Sequence, residues 1–478
     1  MAIIDYVIIA VYMVGMVGIG FLFAGKNKSS DDYLVGGRGV GTSVFMATWL
    51  ATCIGGGVLN GWIGTTYANG LSLIPSVITM YVLTAIIGLF MAEKVRSFGG
   101  VTTAQILHNT YGKKSQAIAG VLGLINLVGQ GPAMQTITFG TVLHVVTGIP
   151  FVWGCIISMA IIFLYTYTAG FWGVVMTDYV QFVIMCFGIG MAAAICFSGV
   201  GGWEGIVASV PAERLTVHND GGITAIIKLA ATTALPIIID GNRYQRLYSC
   251  KSAKVAKKGT LLCLIPLHFF YMAILLLGTC AYILLPNIKS DAAFSTLLLN
   301  YLPVGLRGIV FASLLAAIMS TCDSYLLCAA SNLSVDIYQN LMKPNASNAS
   351  DEDIMRVSKG SVIAFSAIGL AMAIWLGDIM SAWSLVAAFF VGGCFCPILY
   401  AIFFDKAKKS GLAANCAMIA GGLSGGVLEL LKINVAGIPP VVFGALVSLV
   451  VLLAVTAMDP NAKVVALGTL NESEKGAA

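Results

Sequence analysis

Ser320 and Thr321 follow Ala317 by three and four residues, so in a helix all three share one face. Two hydroxyls and a backbone carbonyl aimed at one point suit a hard cation, which prefers oxygen ligands. The stretch lacks the carboxylate density that calcium recruits, which makes a monovalent ion, sodium, the economical choice. The plainer alternative is a hydroxyl that bonds the carbonyl four residues back. Asp323 lies about one turn beyond Ser320, and Asp178 stands in "VVMTDYVQ". A carboxylate in such apolar surroundings is costly and usually faces a cavity, a partner or an ion path. Either could instead sit at a boundary and reach water.

A second signal is backbone rather than side chain. In "ATCIGGGVLNG", residues 51–61, Gly55, Gly56 and Gly57 stand together inside an apolar run. Each costs a helix interior about 1 kcal/mol relative to alanine. Opening a helix there frees carbonyls that can bind a cation instead of bonding along the helix. The stretch "AIIKLAATTALPIIIDGNRYQR" has a matching weak point, with Pro236 and Gly241 on either side of Asp240. For Gly61 and Gly64 alone, close helix packing is the better reading.

The elements that must position these groups are membrane helices. The 478 residues are 58% hydrophobic and only 10% charged, whereas soluble domains carry about 25% charged residues. Mean hydropathy is +0.92, and apolar runs of about 20 residues recur throughout, enough for about thirteen spans. The first run lacks a basic head and a small-residue cleavage site, so it reads as a retained helix rather than a signal peptide. With the amino terminus outside, the cytoplasmic loops collect the cations, among them Lys26, Arg96, Lys113, Arg243, Arg246, Lys257, Lys343, Lys408 and Lys475. That bias orients the chain in the lipid bilayer, carboxyl terminus inside, and removes any need for a nucleic-acid partner. Asn345 and Asn348 match glycosylation sequons, but they fall in one of these basic loops and read as linker. The cysteines lie mostly within spans, where they behave as small hydrophobes. No phosphate-binding GxxxxGK[ST] motif occurs, and no voltage-sensing arginine repeat or selectivity-filter signature. A secondary transporter, with no enzymatic activity and no cofactor beyond a coupling ion, is the class that remains. Such proteins bind solute near the midplane, at broken helices in paired repeats.

"DDYLVGGRGVG", "TAGFWGVVMTDYVQ" and "FASLLAAIMSTCDSYLL" together resemble the sodium:solute symporter family, over nearly the whole chain. The resemblance implies an all-α polytopic protein with the inverted five-plus-five helix repeat of the leucine transporter. One extra helix leads and two trail. Residues 1–42 would hold the leading helix and a loop, 43–198 and 223–404 the two repeats, and 405–478 the trailing helices and tail. It further implies sodium-coupled uptake by alternating access. Carried over residue by residue, sodium would be held by the carbonyls of Ala51, Ile54 and Ala317 and the hydroxyls of Ser320 and Thr321. Asp178, with Ser320, Asp323 and Ser324, would form a second sodium site or the exit path.

Within the family, the second and ninth spans look most like the high-affinity choline transporter branch. Cys53, Gly131 and Asp240 stand where that branch places pocket tryptophans. Asp240, at the solute-facing break, suits a small organic solute with an ammonium group or several hydroxyls; pairing with Arg243 or Lys228 is the alternative. Gly57, Val58, Trp62 and Gln135 complete the expected pocket. An amine, amino acid or related zwitterion is favoured. A carboxylate, a vitamin, a polyol and a transporter-fold sensor remain as alternatives.

Overall fold

The computed structural model describes residues 1–25, 28–217, 222–342 and 350–467. Lys26, Lys343, Asn345, Asn348 and Lys475 lie outside the described residues. Helix α1 is Ile3–Ala24, α2 is Thr42–Cys53, α3 is Trp62–Asn69 and α4 is Ile74–Ile86. Next come α5, Lys113–Val128, α6, Met134–Thr147, and α7, Phe151–Gly199. The second half contributes α8, Gly222–Ala234, α9, Gly241–Ser249, α10, Leu264–Leu284, and α11, Leu306–Ser331. Four more follow: α12, Asp351–Leu376, α13, Ile379–Phe403, α14, Gly411–Leu430, and α15, Pro440–Met458.

Twelve helices among the described residues are long and apolar enough to cross a membrane. One of these, Gly57–Phe98, runs 42 residues, about twice the length one crossing needs. It turns at Gly70, where φ is +61°. Its first part, α3, pairs with the short apolar α2 to make a single interrupted pass, which yields the thirteen crossings expected. Helix α7 is 49 residues long and reverses its backbone at Gly170, where φ is +60° and ψ −170°. A straight helix of that length would reach about 74 Å, so this kink divides it into two passes.

Burial orders the bundle. The most apolar window of α11 is 94% buried, whereas that of α1 is 17% buried. Helix α11 is therefore the central post, packed against α7, α2 and α12, and α1 is peripheral. Large apolar side chains such as Val11, Phe187, Ile265 and Trp375 lie exposed on outer faces, where lipid would cover them. The trailing helices pack almost backbone to backbone: a Cβ on Gly444 would come within 2.6 Å of the Gly421 carbonyl oxygen. Small residues allow this approach, the usual device between helices in lipid.

Two passes are interrupted at the same depth of the central post. After α2, Ile54 takes φ −95° and ψ 54°, outside the helical region. A π-helical turn, Gly57–Gly61, then leads into α3. After α8, a 3-10 turn, Leu235–Ile238, precedes Asp240, which caps α9 by accepting the Asn242 N–H at 3.3 Å. Proline starts that turn, where its missing N–H does least harm.

Candidate functional site

The first break meets α11 at the expected triplet. Ser320 Oγ donates to the Ala51 carbonyl at 3.0 Å and lies 3.2 Å from the Ala317 carbonyl. Thr321 Oγ1 lies 3.0 Å from that same Ala317 carbonyl and 3.1 Å from the Thr52 carbonyl. Ala51, Ala317, Ser320 and Thr321 are thus brought together as a cluster of neutral oxygens, the donor set a monovalent hard cation takes. Both hydroxyls also follow the plain i−4 pattern, Ser320 to Ala316 at 2.7 Å and Thr321 to Ala317. The two alternatives of the sequence reading therefore coexist in one geometry. Ile54 supplies the break itself. The Thr52 carbonyl is a further oxygen that spacing alone did not mark. It is free because the Gly56 N–H donates to Gln135 Oε1 at 2.9 Å, away from the helix axis.

The glycines serve proximity more than conformation. None of Gly55, Gly56 and Gly57 has a positive φ. A Cβ on Gly55 would overlap the Thr321 hydroxyl, one on Gly56 would come within 2.8 Å of Gln135 Oε1, and one on Gly57 would overlap Met134. Gly64 likewise packs on the backbone of Ser290, as expected for a packing glycine.

Beside this cluster lies a cavity of about 30 Å³, lined by Gly55, Val58, Gln130, Gln135, Asp240, Arg243, Thr321, Tyr325 and Trp383 among others. That is room for one or two waters, so a solute must widen it on entry. Asp240, Val58 and Gln135 line it as expected. Gly57 and Trp62 do not: Trp62 is buried against Tyr271 and stacks on Trp383, ring centroids 6.3 Å apart, and Trp383 forms the wall. Thr52 and Thr321 belong both to this wall and to the oxygen cluster, and Gly55 packs against Thr321 between them.

Asp240 is buried and takes the Tyr325 hydroxyl at 2.8 Å on Oδ2. The Nε of Arg243 lies 3.8 Å from the same oxygen, so the alternative pairing is present while both side chains still line the cavity. Arg243 also lies 5.2 Å from the ring centre of Trp49 and donates to Cys53 Sγ at 3.5 Å. Neither Tyr325 nor Arg243 was marked as a pocket residue. Tyr325 follows Thr321 by one helical turn, a periodicity that could have found it.

The carboxylates around α11 divide into two groups. Asp178 accepts from Thr48 Oγ1 and, at 3.1 Å, from Arg246 Nη2, which also reaches Ser324 Oγ at 2.5 Å. Asp323 instead accepts the Tyr165 hydroxyl at 3.0 Å. Arg243 and Arg246, counted among the cytoplasmic loop cations, are 8% and 1% exposed. Helix α9 continues inward past the break and packs against α2 and α11, which draws both guanidinium groups into the protein. Counting basic residues after an apolar run cannot detect this.

The sodium:solute symporter family model matches residues 33–421. The chain belongs to the sodium:solute symporter family. Among curated relatives, a sodium/proline symporter of Staphylococcus aureus is 25% identical over 447 residues, covering 87% of this chain and 84% of the relative. A Na+-coupled sialic acid symporter, solved substrate-bound and outward-open, superimposes with TM-score 0.83 at 19% identity, over 97% of this chain and all of that one. Mhp1, a nucleobase-cation-symport-1 family transporter solved in a closed conformation, gives TM-score 0.60 at 15% identity, covering 94% and 98% of the two chains. The symporter therefore has the leucine-transporter fold.

One loop of the symporter closes over the end of α3. Asn60 Nδ2 donates to the Asp291 carbonyl at 2.5 Å, and the Ile379 N–H reaches Asp291 Oδ2 at 3.5 Å. Burial first, and the Asp378 carboxylate second, push the Asp291 carboxyl up from its ordinary 3.8 to about 6, with Lys289 opposing. A carboxyl held higher when docked stabilises the docked loop fully below its ordinary value, and that contribution is lost as pH rises through about 6. Asp291→Asn should thus melt above the wild type at pH 7.5 and by a smaller margin at pH 4.5, by Tm in detergent. Equal Tm at both pH values would show that this carboxyl does not control docking.

Proposed function

We propose that this sodium symporter carries a small zwitterion, an amino acid or related amine, one charge facing Asp240 and the other Arg243. The observation that carries this reading is the pair itself: a buried carboxylate and guanidinium 3.8 Å apart on the wall of one cavity. An entering ammonium replaces the guanidinium at Asp240, and an entering carboxylate replaces the carboxylate at Arg243. Both protein charges then stay paired throughout, avoiding the penalty of a lone buried ion. The sodium/proline symporter among the relatives is compatible with an amino acid.

Sodium would sit among the oxygens of Ala51, Ala317, Ser320 and Thr321, with Ile54 at the turn, tying the break after α2 to the central post. Because Thr52 and Thr321 border both ion and cavity, sodium arrival shapes the wall that solute meets. The repeats spanning 43–198 and 223–404 would rock about this point in alternating access. With the amino terminus outside and the carboxyl terminus inside a cell membrane, an inward sodium gradient would drive uptake.

The test is uptake into proteoliposomes from a panel of amino acids, betaines, monocarboxylates and polyols, with and without an inward sodium gradient. Accumulation of an amino acid only with the gradient is the expected result; accumulation of a carboxylate or polyol instead would overturn the zwitterion reading. Ser320→Ala or Thr321→Ala should raise the sodium needed for half-maximal uptake about tenfold, since one lost hydrogen-bonding group costs about 1–3 kcal/mol. Unchanged sodium dependence in both would remove these hydroxyls from the ion site.

A further inference from the structure

Beside the oxygen cluster lies a second group of cation-seeking oxygens, and a side chain of the protein fills it. Arg246, at 1% exposure, reaches from α9 between the two broken passes. Its Nη2 donates to Thr52 Oγ1 at 2.6 Å, Ser324 Oγ at 2.5 Å and Asp178 Oδ2 at 3.1 Å. Its Nε donates to Thr48 Oγ1 at 3.0 Å, and its Nη1 to Asn242 Oδ1 at 2.5 Å. The guanidinium therefore gathers one carboxylate and three hydroxyls from α2, α7 and α11, oxygens that a second sodium would need.

We propose that Arg246 is a tethered cation occupying the second cation position of this symporter, so that a single sodium, at Ala51, Ala317, Ser320 and Thr321, accompanies each solute. This rests on the sodium-symport reading and concerns its stoichiometry. An arginine cannot shed its charge in a protein, and this one cannot leave with the cargo. It supplies the positive charge between α2, α7 and α11 in every state, whereas a sodium there would enter and depart once per cycle. Two carboxylate oxygens, Asp178 Oδ1 and Asp323 Oδ1, accept no hydrogen bond. Two oxygens are fewer than the four gathered at the first site. The hydroxyls that would complete a shell, those of Ser324, Thr48 and Thr52, each accept from Arg246. The second sodium site or exit path assigned to Asp178, Asp323 and Ser324 is, on this proposal, closed by the chain itself.

The experiment counts radioactive sodium bound at saturation per purified full-length protein, which requires no knowledge of the solute. The wild type should bind one, with a Hill coefficient of 1. Arg246→Gln vacates the position but leaves Asp178, and should bind two, its Hill coefficient rising toward 2. Adding Asp178→Asn to that variant should return the count to one. Two sodium ions on the wild type would overturn the proposal and leave sodium symport standing. No sodium on the wild type would overturn both. One sodium on both the wild type and a folded Arg246→Gln would show that the arginine is not what excludes the second ion. Should Arg246→Gln fail to fold, the wild-type count of one or two still decides.

Discussion

Gly55→Ala is expected to reduce sodium-driven uptake at least a hundredfold while the protein still reaches the membrane and survives purification. The added Cβ would overlap Thr321 Oγ1 and lie 2.9 Å from both Thr321 Cβ and Cγ2. Thr321 is branched and stiff at χ1, so it cannot rotate away cheaply. It must shift with its helix or push α2 outward. Overpacking of this kind costs about 1–3 kcal/mol, sometimes more. It falls on the residue that supplies both an ion ligand and a cavity wall, so affinity for sodium and for solute should drop together. Alanine also favours continuous helix by about 1 kcal/mol, which draws the Ala51 and Thr52 carbonyls back toward the helix axis. Gly61→Ala is the control, because its nearest neighbour, an Ile379 methyl, lies 3.2 Å away without overlap, and it should transport within severalfold of wild type. Uptake by Gly55→Ala at the Gly61→Ala level would show that close approach to Thr321 is not required.

Asp240→Asn is expected to weaken solute binding ten- to a hundredfold if the solute carries an ammonium group. Asparagine keeps the size of the side chain and can still accept the Tyr325 hydroxyl, now at 2.8 Å. It removes the charge, and a charge-assisted hydrogen bond is about twice as strong as a neutral one, a loss of about 1.5–3 kcal/mol. Sodium affinity should change far less, because Asp240 lies at the other break. A polyol would lose less than an amine, since asparagine still accepts its hydroxyls. An anionic solute should bind the variant more tightly: its repulsion by Asp240 is gone, and Arg243 loses its carboxylate at 3.8 Å. Equilibrium binding of the transported solute at saturating sodium separates these cases. Tighter binding by the variant would exclude an amine or zwitterion.

Much of this architecture was legible along the chain because it is written in local periods. A span needs about 20 apolar residues, and the runs are contiguous, so thirteen crossings could be counted before any contact was known. Ala317, Ser320 and Thr321 share a face by the pitch of one helix. The weak points at Gly55–Gly57 and at Pro236 and Gly241 are equally local, since each lowers helix propensity within a few residues. Asp240 stands out because it sits at such a break, where the family resemblance places the solute.

What the helices do to one another was not legible. The glycine run looked like a device for unwinding, yet no positive φ occurs there, and the need for glycine comes from Thr321, 266 positions away in the chain. Trp62 looked like a pocket residue, but stacking on Trp383 turns it into support for the wall. Arg246 read as a loop cation following an apolar run. Only the packing of α9 between α2 and α11 makes it a buried ion surrounded by Asp178, Ser324, Thr48 and Thr52. Sequence by itself determined which segments enter the membrane, where they break and which oxygens share a helical face, because backbone propensity and hydropathy act over one or two turns. Tertiary structure decided which broken end meets which face, and so which oxygens await an ion and which already hold an arginine, because a buried charge is settled by whatever partner packing brings within hydrogen-bonding distance.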